Sequence, residues 1–216
     1  MEEAKSHARL TVKFQKQALS GRALMTKNII DDGTIEACRR GESDAFRLLF
    51  EAYKDQVYSI AFCFFDGDEA IAKDVTQDVF LKLMTKISQF QNRSEFATWL
   101  YRIVSNACLD RKRALARFLS FSSSDKPEAT ARGKSAEDRY LQRELEISVR
   151  KVIAGMRPKL RIAVLLKYFE DMSYDEMAAA LNCSKGTVAS RLNRAHRILA
   201  RKLLHLRAVA LGEPDL

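Results

Sequence analysis

From residue 43 onward the apolar positions recur with a helical period. Phe46, Leu49, Phe50, Tyr53, Val57, Ile60 and Ala61 follow at three- and four-residue intervals behind Ser43, which predicts an amphipathic helix with Ser43 as its N-cap. The stretch Phe65-Asp66-Gly67-Asp68-Glu69 ends that helix and opens a second one. In the second, Ala72, Val75, Val79, Leu83 and Ile87 form one stripe, while Asp74, Gln77 and Asp78 fall at i, i+3 and i+4 on the opposite side. Residues 89–95 read as a polar loop. A further helix is expected to turn Phe96, Trp99, Leu100, Ile103, Val104 and Ala107 inward and to expose Thr98, Arg102, Asn106 and Arg113. Three or four helices with stripes of this width suffice for a small bundle.

The flanking pattern divides the chain. Residues 1–35 carry Lys5, Arg9, Lys13, Lys16, Arg22 and Lys27 with weak periodicity and read as a mobile basic extension, with Met25 an alternative start. The bundle is assigned to 36–116. Residues 117–136 are rich in Ser, Lys and Ala and lack periodicity, as a linker does, although Phe118, Leu119 and Phe121 are unusual there. Leu141, Leu145, Val149, Val152, Ile153 and Met156 then predict a helix that stops before Pro158, and another runs to about Glu170. This second domain is placed at 137–207, with 208–216 as a tail. Eight Gly and three Pro in 216 residues leave few turns, and no strand-like alternation occurs. The fold class is all-α: two small helical domains on a flexible linker.

The segment 171–203 is the most specific. Ser173 and Glu176 form an S-x-x-E capping box, and Met177, Ala178 and Leu181 are the buried side of the helix it starts. Asn182 stands where a left-handed residue must stop that helix, and Ser184 caps the next, whose Val188, Leu192 and Leu199 point to the core. Two helices joined by about three residues make a helix-turn-helix, which presents the start of its second helix to the major groove. From Lys185 to Arg207 there are seven Lys or Arg and no Asp or Glu. A solvated helix mixes signs for i, i+4 pairing, so one sign throughout suits phosphate contact. Ser184, Lys185, Thr187, Ser190, Arg191 and Arg194 are the candidates to reach phosphates or base edges.

Charge refines the picture. The formal net charge of +9 favours a polyanionic partner. Residues 36–78 carry ten acids against five bases, and residues 79–117 eight bases against two acids, as if one small domain met two partners. Cys38, Cys63, Cys108 and Cys183 form no CxxC and are read as packing residues, so no metal site or disulfide is indicated. Without a membrane-length apolar run or an N-terminal apolar signal region, a reducing, cytoplasmic location is expected.

Three segments taken in order, 72–84 (AKDVTQDVFLKLM), 96–113 (FATWLYRIVSNACLDRKR) and 165–195 (LLKYFEDMSYDEMAAALNCSKGTVASRLNRA), resemble bacterial sigma factors of the extracytoplasmic-function class, over about residues 36–203. Two departures stand out: Asn182-Cys183 replaces the commoner Gly-hydrophobic turn, and 156–161 (MRPKLR) stands where Leu-Pro is typical. The resemblance implies a protein that is not an enzyme and needs no cofactor, metal or lipid. It implies binding of core RNA polymerase, on the clamp helices of the largest subunit, by Asp74, Gln77, Asp78, Phe80 and Leu81. It implies capture of the minus-ten element of promoter DNA by Asn92, Arg93, Ser94 and Phe96 of the 90–96 loop, with Arg102, Asn106, Arg111, Lys112 and Arg113 tracking the strand. Trp99 is expected in the core rather than stacked on a base. The helix-turn-helix residues would read the minus-thirty-five duplex. A cognate anti-sigma factor, often membrane-anchored in this family, is a further implied partner.

Two rival readings remain open on the residues. A conventional helix-turn-helix regulator would bind its site as a dimer without polymerase. A nuclease would need metal ligands from Asp66, Asp68, Glu69, Asp74 and Asp78, yet Ile71 stands where a calcium loop requires Gly.

Overall fold

The computed structural model describes residues 30–121 and 147–211, with side chains over 30–118 and 147–202. Among the described residues there are helices and turns but no strand. Helix α1 (Asp32–Arg39) starts at Asp31, whose carboxylate accepts from Thr34 N at 2.7 Å. It buries Ile35 and Cys38, so the boundary expected at 35/36 falls inside a helix that belongs to the core. Helix α2 (Ser43–Phe64) begins one residue earlier than expected. Its N-cap is Glu42 without a side-chain cap bond, not Ser43, because Ser43 is already helical and the Glu42 carboxylate pairs with Arg40 at 2.8 Å.

Asp66 and Gly67, at φ 60° and 86°, reverse the chain between α2 and α3 (Glu69–Lys86). Asp68 then caps α3 by accepting from Ile71 N at 2.9 Å. The expected stripe of Ala72, Val75, Val79, Leu83 and Ile87 is buried. A 3-10 turn at Ile87–Gln89 leads through the polar loop to α4 (Phe96–Phe121). This helix runs five residues into the expected linker, and Phe118 on it is 70% exposed. The side chains of Leu119 and Phe121, the rest of the linker, the 1–29 extension and residues 212–216 lie outside the described residues.

The second unit contains α5 (147–154), α6 (Pro158–Tyr168), α7 (Tyr174–Ala180) and α8 (Lys185–Leu211). Pro158 occupies the first turn of α6, where its missing N–H costs nothing. Seven consecutive residues of α6, Leu160 to Leu166, are buried. A helix covered on every face needs neighbours on both sides. Helices α7 and α8 cover one side, while α2 and α4 of the first unit cover the other. The two units therefore share one continuous apolar core rather than standing apart.

Polar contacts tie this junction. Arg161 is only 5% exposed; its guanidinium donates to the Phe64 carbonyl at 2.5 Å and the Met156 carbonyl at 3.1 Å, and lies 5.0 Å from the Phe64 ring centre. The Tyr101 hydroxyl donates to the Glu170 carboxylate. Arg150 of α5 lies over the Phe62 ring and approaches Gly67 so closely that a Cβ there would stand 2.9 Å from its Nη1. The positive φ is what favours Gly67, since the Arg150 guanidinium, the end of a flexible side chain, can shift aside.

Candidate functional site

The surface of α3 exposes four of the five residues expected there. Asp74, Gln77 and Asp78 are exposed, and Leu81 is 54% exposed beside Met84 at 53%. Phe80 is a correction. It is buried, edge-on against Phe50 with ring centres 4.8 Å apart, because the stripe that includes Val79 and Leu83 carries position 80 toward α2. Asp74 does not stand alone either. Its carboxylate meets Arg111 of α4 at 2.6 Å, which joins the acid expected to face polymerase to a base expected to face DNA. A half-exposed pair of this kind contributes ~0–1 kcal/mol.

The 90–96 loop is anchored at its ends and presented at its middle. Phe90 and Phe96 are buried edge-to-face with ring centres 5.4 Å apart, and Trp99 closes the cluster on both. Phe96 is therefore a support for the loop rather than an exposed surface for a base, and Trp99 packs with the core as expected. Asn92 and Arg93 are exposed and Ser94 half-buried. Asn92 has φ 51°, a left-handed conformation that Asn tolerates better than most residues. Arg39, from the end of α1, donates to the Phe90 carbonyl and to Asn92 Oδ1.

Along α4, Arg102, Asn106 and Arg113 are exposed, and Arg111 and Lys112 half-buried. Burial, then the nearby Arg161 charge, lowers the Lys112 pKa. Arg113 pairs with Asp110 at 3.0 Å. Thr98, expected outside, is buried instead. Tyr53 lies next to Phe96, and burial, with the Glu95 and Glu170 charges adding, pushes its phenol up to about 12.

The helix-turn-helix forms as its residues direct. Ser173 accepts from Glu176 N at 3.2 Å, and the Glu176 carboxylate accepts from Ser173 N at 2.7 Å. Asn182 takes φ 47°, and Ser184 accepts from Thr187 N at 3.2 Å to start α8. Val188, Leu192 and Leu199 are buried. Ser184, Lys185, Ser190 and Arg194 are exposed, and Thr187 and Arg191 half-buried. Lys185 pairs with Asp175 of α7 at 2.6 Å, so the first base of the helix is oriented by its neighbour. Tyr168 of α6 and His196 of α8 hydrogen-bond behind this surface.

Four residues the pattern reading passed over organise these surfaces: Arg39, Tyr101, Arg161 and Glu170. Arg161 had a signal, a lone cation inside the run Leu160 to Leu166, since a charge there must find buried acceptors. Arg39 carried none beyond its sign. Among the described residues no three of His, Cys, Asp and Glu come together to hold a metal ion. No described helix is long and apolar enough to cross a membrane.

Comparison with known proteins places the chain in a family. Residues 49–118 match Sigma-70 region 2, and residues 146–199 match Sigma-70 region 4. The chain is 30% identical to the ECF RNA polymerase sigma-E factor of Escherichia coli over 83% of its own length and 97% of that protein. It is 29% identical to the ECF RNA polymerase sigma factor SigW of Bacillus subtilis, over 80% and 96%. Two solved structures share the fold. One is the sigma factor RpoE of Bartonella quintana in complex with the anti-sigma factor NepR (TM-score 0.60, 24% identity, 73% of this chain and 96% of that one). The other is CnrH in complex with the cytosolic domain of CnrY (TM-score 0.58, 23% identity, 79% and 94%). A region 2 bundle followed by a region 4 helix-turn-helix, with relatives matched across nearly their whole length, leaves one assignment: the chain belongs to the ECF RNA polymerase sigma factors.

Proposed function

We propose that this sigma factor recruits core RNA polymerase through α3, captures a minus-ten base in the 90–96 loop and reads the minus-thirty-five duplex with the start of α8. The first contact is supported by Asp74, Gln77, Asp78 and Leu81, exposed on one helix as an acidic and apolar edge suited to the clamp helices of the largest subunit. Complementary charge there fixes register and speeds encounter more than it adds affinity. Opening a duplex requires unstacking, and capture of an extruded base offsets that cost. The exposed Asn92 and Arg93 on an aromatic base, followed by Arg102, Asn106 and Arg113, are the groups for that capture.

The observation that carries the reading is the helix-turn-helix itself: a capped α8 whose exposed first turns hold Lys185, Ser190 and Arg194, with no acid as far as Arg207. Neither DNA-binding surface needs high affinity, because polymerase binding raises the effective concentration of the second contact. The place of action is the cytoplasm, with promoter DNA and polymerase. The complexes of RpoE with NepR and of CnrH with CnrY support a cognate anti-sigma factor as a further partner here. Run-off transcription by reconstituted holoenzyme tests the reading. Exchange of residues 90–96 for another family member's loop is expected to change minus-ten preference alone. A change confined to the upstream element, or promoter binding without polymerase, would overturn it.

A further inference from the structure

We infer that Arg39 is a positioning residue for promoter read-out: it holds the 90–96 loop in one shape and fixes which hydrogen-bonding groups of Asn92 face the captured base. The inference rests on the base-capture reading of that loop.

Arg39 ends α1, a helix with no other assigned part in DNA binding. Its Nη2 donates to the Phe90 carbonyl and, at 3.2 Å, to Asn92 Oδ1. Its Nη1 pairs with Glu36 at 2.7 Å, one turn earlier on the same helix. The guanidinium carbon lies 5.8 Å from the Phe90 ring centre, and Nε is shielded from solvent. The side chain is thus gripped on several sides and only 25% exposed. Its planar fork spans loop backbone and loop side chain together, which an ammonium on a flexible stem does not reproduce.

The chemistry of the contact decides the orientation of the Asn92 amide. A guanidinium has donors and no acceptor, so the amide must turn its oxygen to Arg39. That leaves the Nδ2 hydrogens of an exposed residue for a ligand. Asn92 would therefore meet a base as a donor and favour edges that present acceptors. The left-handed backbone at φ 51° carries a cost of its own, and the Arg39 bonds on either side of it, at residues 90 and 92, offset that cost. Without them the loop keeps its buried Phe90 and Phe96 anchors but loses the restraint on its middle. Read-out of a base tolerates little looseness, since sites need their groups held to within roughly 0.5 Å.

The test is holoenzyme open-complex formation on four promoters that differ only at the captured minus-ten base, for the parent and for Arg39→Met, Arg39→Lys and Asn92→Asp. Core association and binding to minus-thirty-five duplex serve as controls, with circular dichroism to check folding. Arg39→Met is expected to cut discrimination among the four bases by about fivefold, the lower end of what one well-placed contact contributes. Arg39→Lys is expected to fall between the two, with both controls unchanged. Asn92→Asp keeps the acceptor for Arg39 but removes the Nδ2 donors, so preference is expected to move toward bases with an exocyclic amino group. That variant decides the matter if Arg39→Met does not fold. Equal loss on all four promoters makes Arg39 a folding residue and overturns the inference. So does unchanged discrimination while a 90–96 loop exchange still alters preference. If the loop exchange itself leaves preference unaltered, the base-capture reading beneath it fails as well.

Discussion

Replacing Arg161 by Met probes the junction between the two units. The guanidinium donates to the Phe64 carbonyl at 2.5 Å and the Met156 carbonyl at 3.1 Å, and the residue is 5% exposed. Bonds from a charged donor contribute about 1.5–3 kcal/mol each, and an acceptor left buried without a partner costs about 1–3 kcal/mol. Against this stands the desolvation of a buried cation, which is the main reason the Arg161 pKa is lowered. Met retains the apolar stem and removes that penalty, an exchange worth roughly 1–4 kcal/mol when the partner is removed as well. Here the carbonyl acceptors stay, so a net loss of about 2–4 kcal/mol is expected. At about 2–4 °C per kcal/mol for a chain of this size, Tm falls by roughly 4–16 °C. Thermal unfolding by circular dichroism gives the magnitude, and small-angle scattering gives the separation of the units. Arg161→Lys, which can reach one carbonyl well, is expected between parent and Met. Because Phe64 belongs to the first unit and Met156 to the second, loss of the Phe64 bond also loosens the junction. Tyr101→Phe, which removes the bond to Glu170 at the same junction, should add less than its separate effect in the double variant. A Tm within about 1 °C of the parent and unchanged scattering would refute a guanidinium buried between two carbonyls.

Other outcomes follow from individual contacts. Asp74→Lys with Asp78→Lys is expected to abolish co-purification with core polymerase while the fold persists, since the Asp74–Arg111 pair lost is worth at most about 1 kcal/mol; unchanged association would remove α3 from the polymerase contact. Ser173→Ala removes the accepting half of the capping box and is expected to lower stability by about 1 kcal/mol, read as a Tm shift of roughly 2–4 °C. Burial pushes the thiols of Cys63 and Cys108 up to about 12 from an ordinary 9.0. Above pH 9 the unfolded chain ionises them first, so their contribution is complete below pH 9 and is lost as pH rises toward 12. Cys63→Ala should flatten the fall in Tm between pH 9 and 11; parallel slopes for parent and variant would contradict the assignment. Cys183, half-buried at the turn before α8, should react with a thiol reagent well before buried Cys38, Cys63 and Cys108.

Periodicity set α2, α3 and the start of α4 in the first unit and the helices of the second, while α1 went unread; residue type set the caps of the helix-turn-helix. Ser173, Glu176, Asn182 and Ser184 act within a few residues of themselves, so their roles were complete in the local sequence. The same holds for the α3 stripe and its exposed Asp74, Gln77 and Asp78. Side chains whose partners are distant in sequence were decided by the tertiary structure. Phe80 is buried because α2 brings Phe50 against it, and Thr98 is buried on a face that periodicity assigned to solvent. Arg39 finds Phe90 and Asn92 some fifty residues away. Arg161 finds Phe64, and Tyr101 finds Glu170, only because α6 and α7 pack on α2 and α4. A period of 3.6 residues tells which way a side chain faces from its own axis; which neighbour occupies that side depends on how the helices stack, and that information is spread over the whole chain.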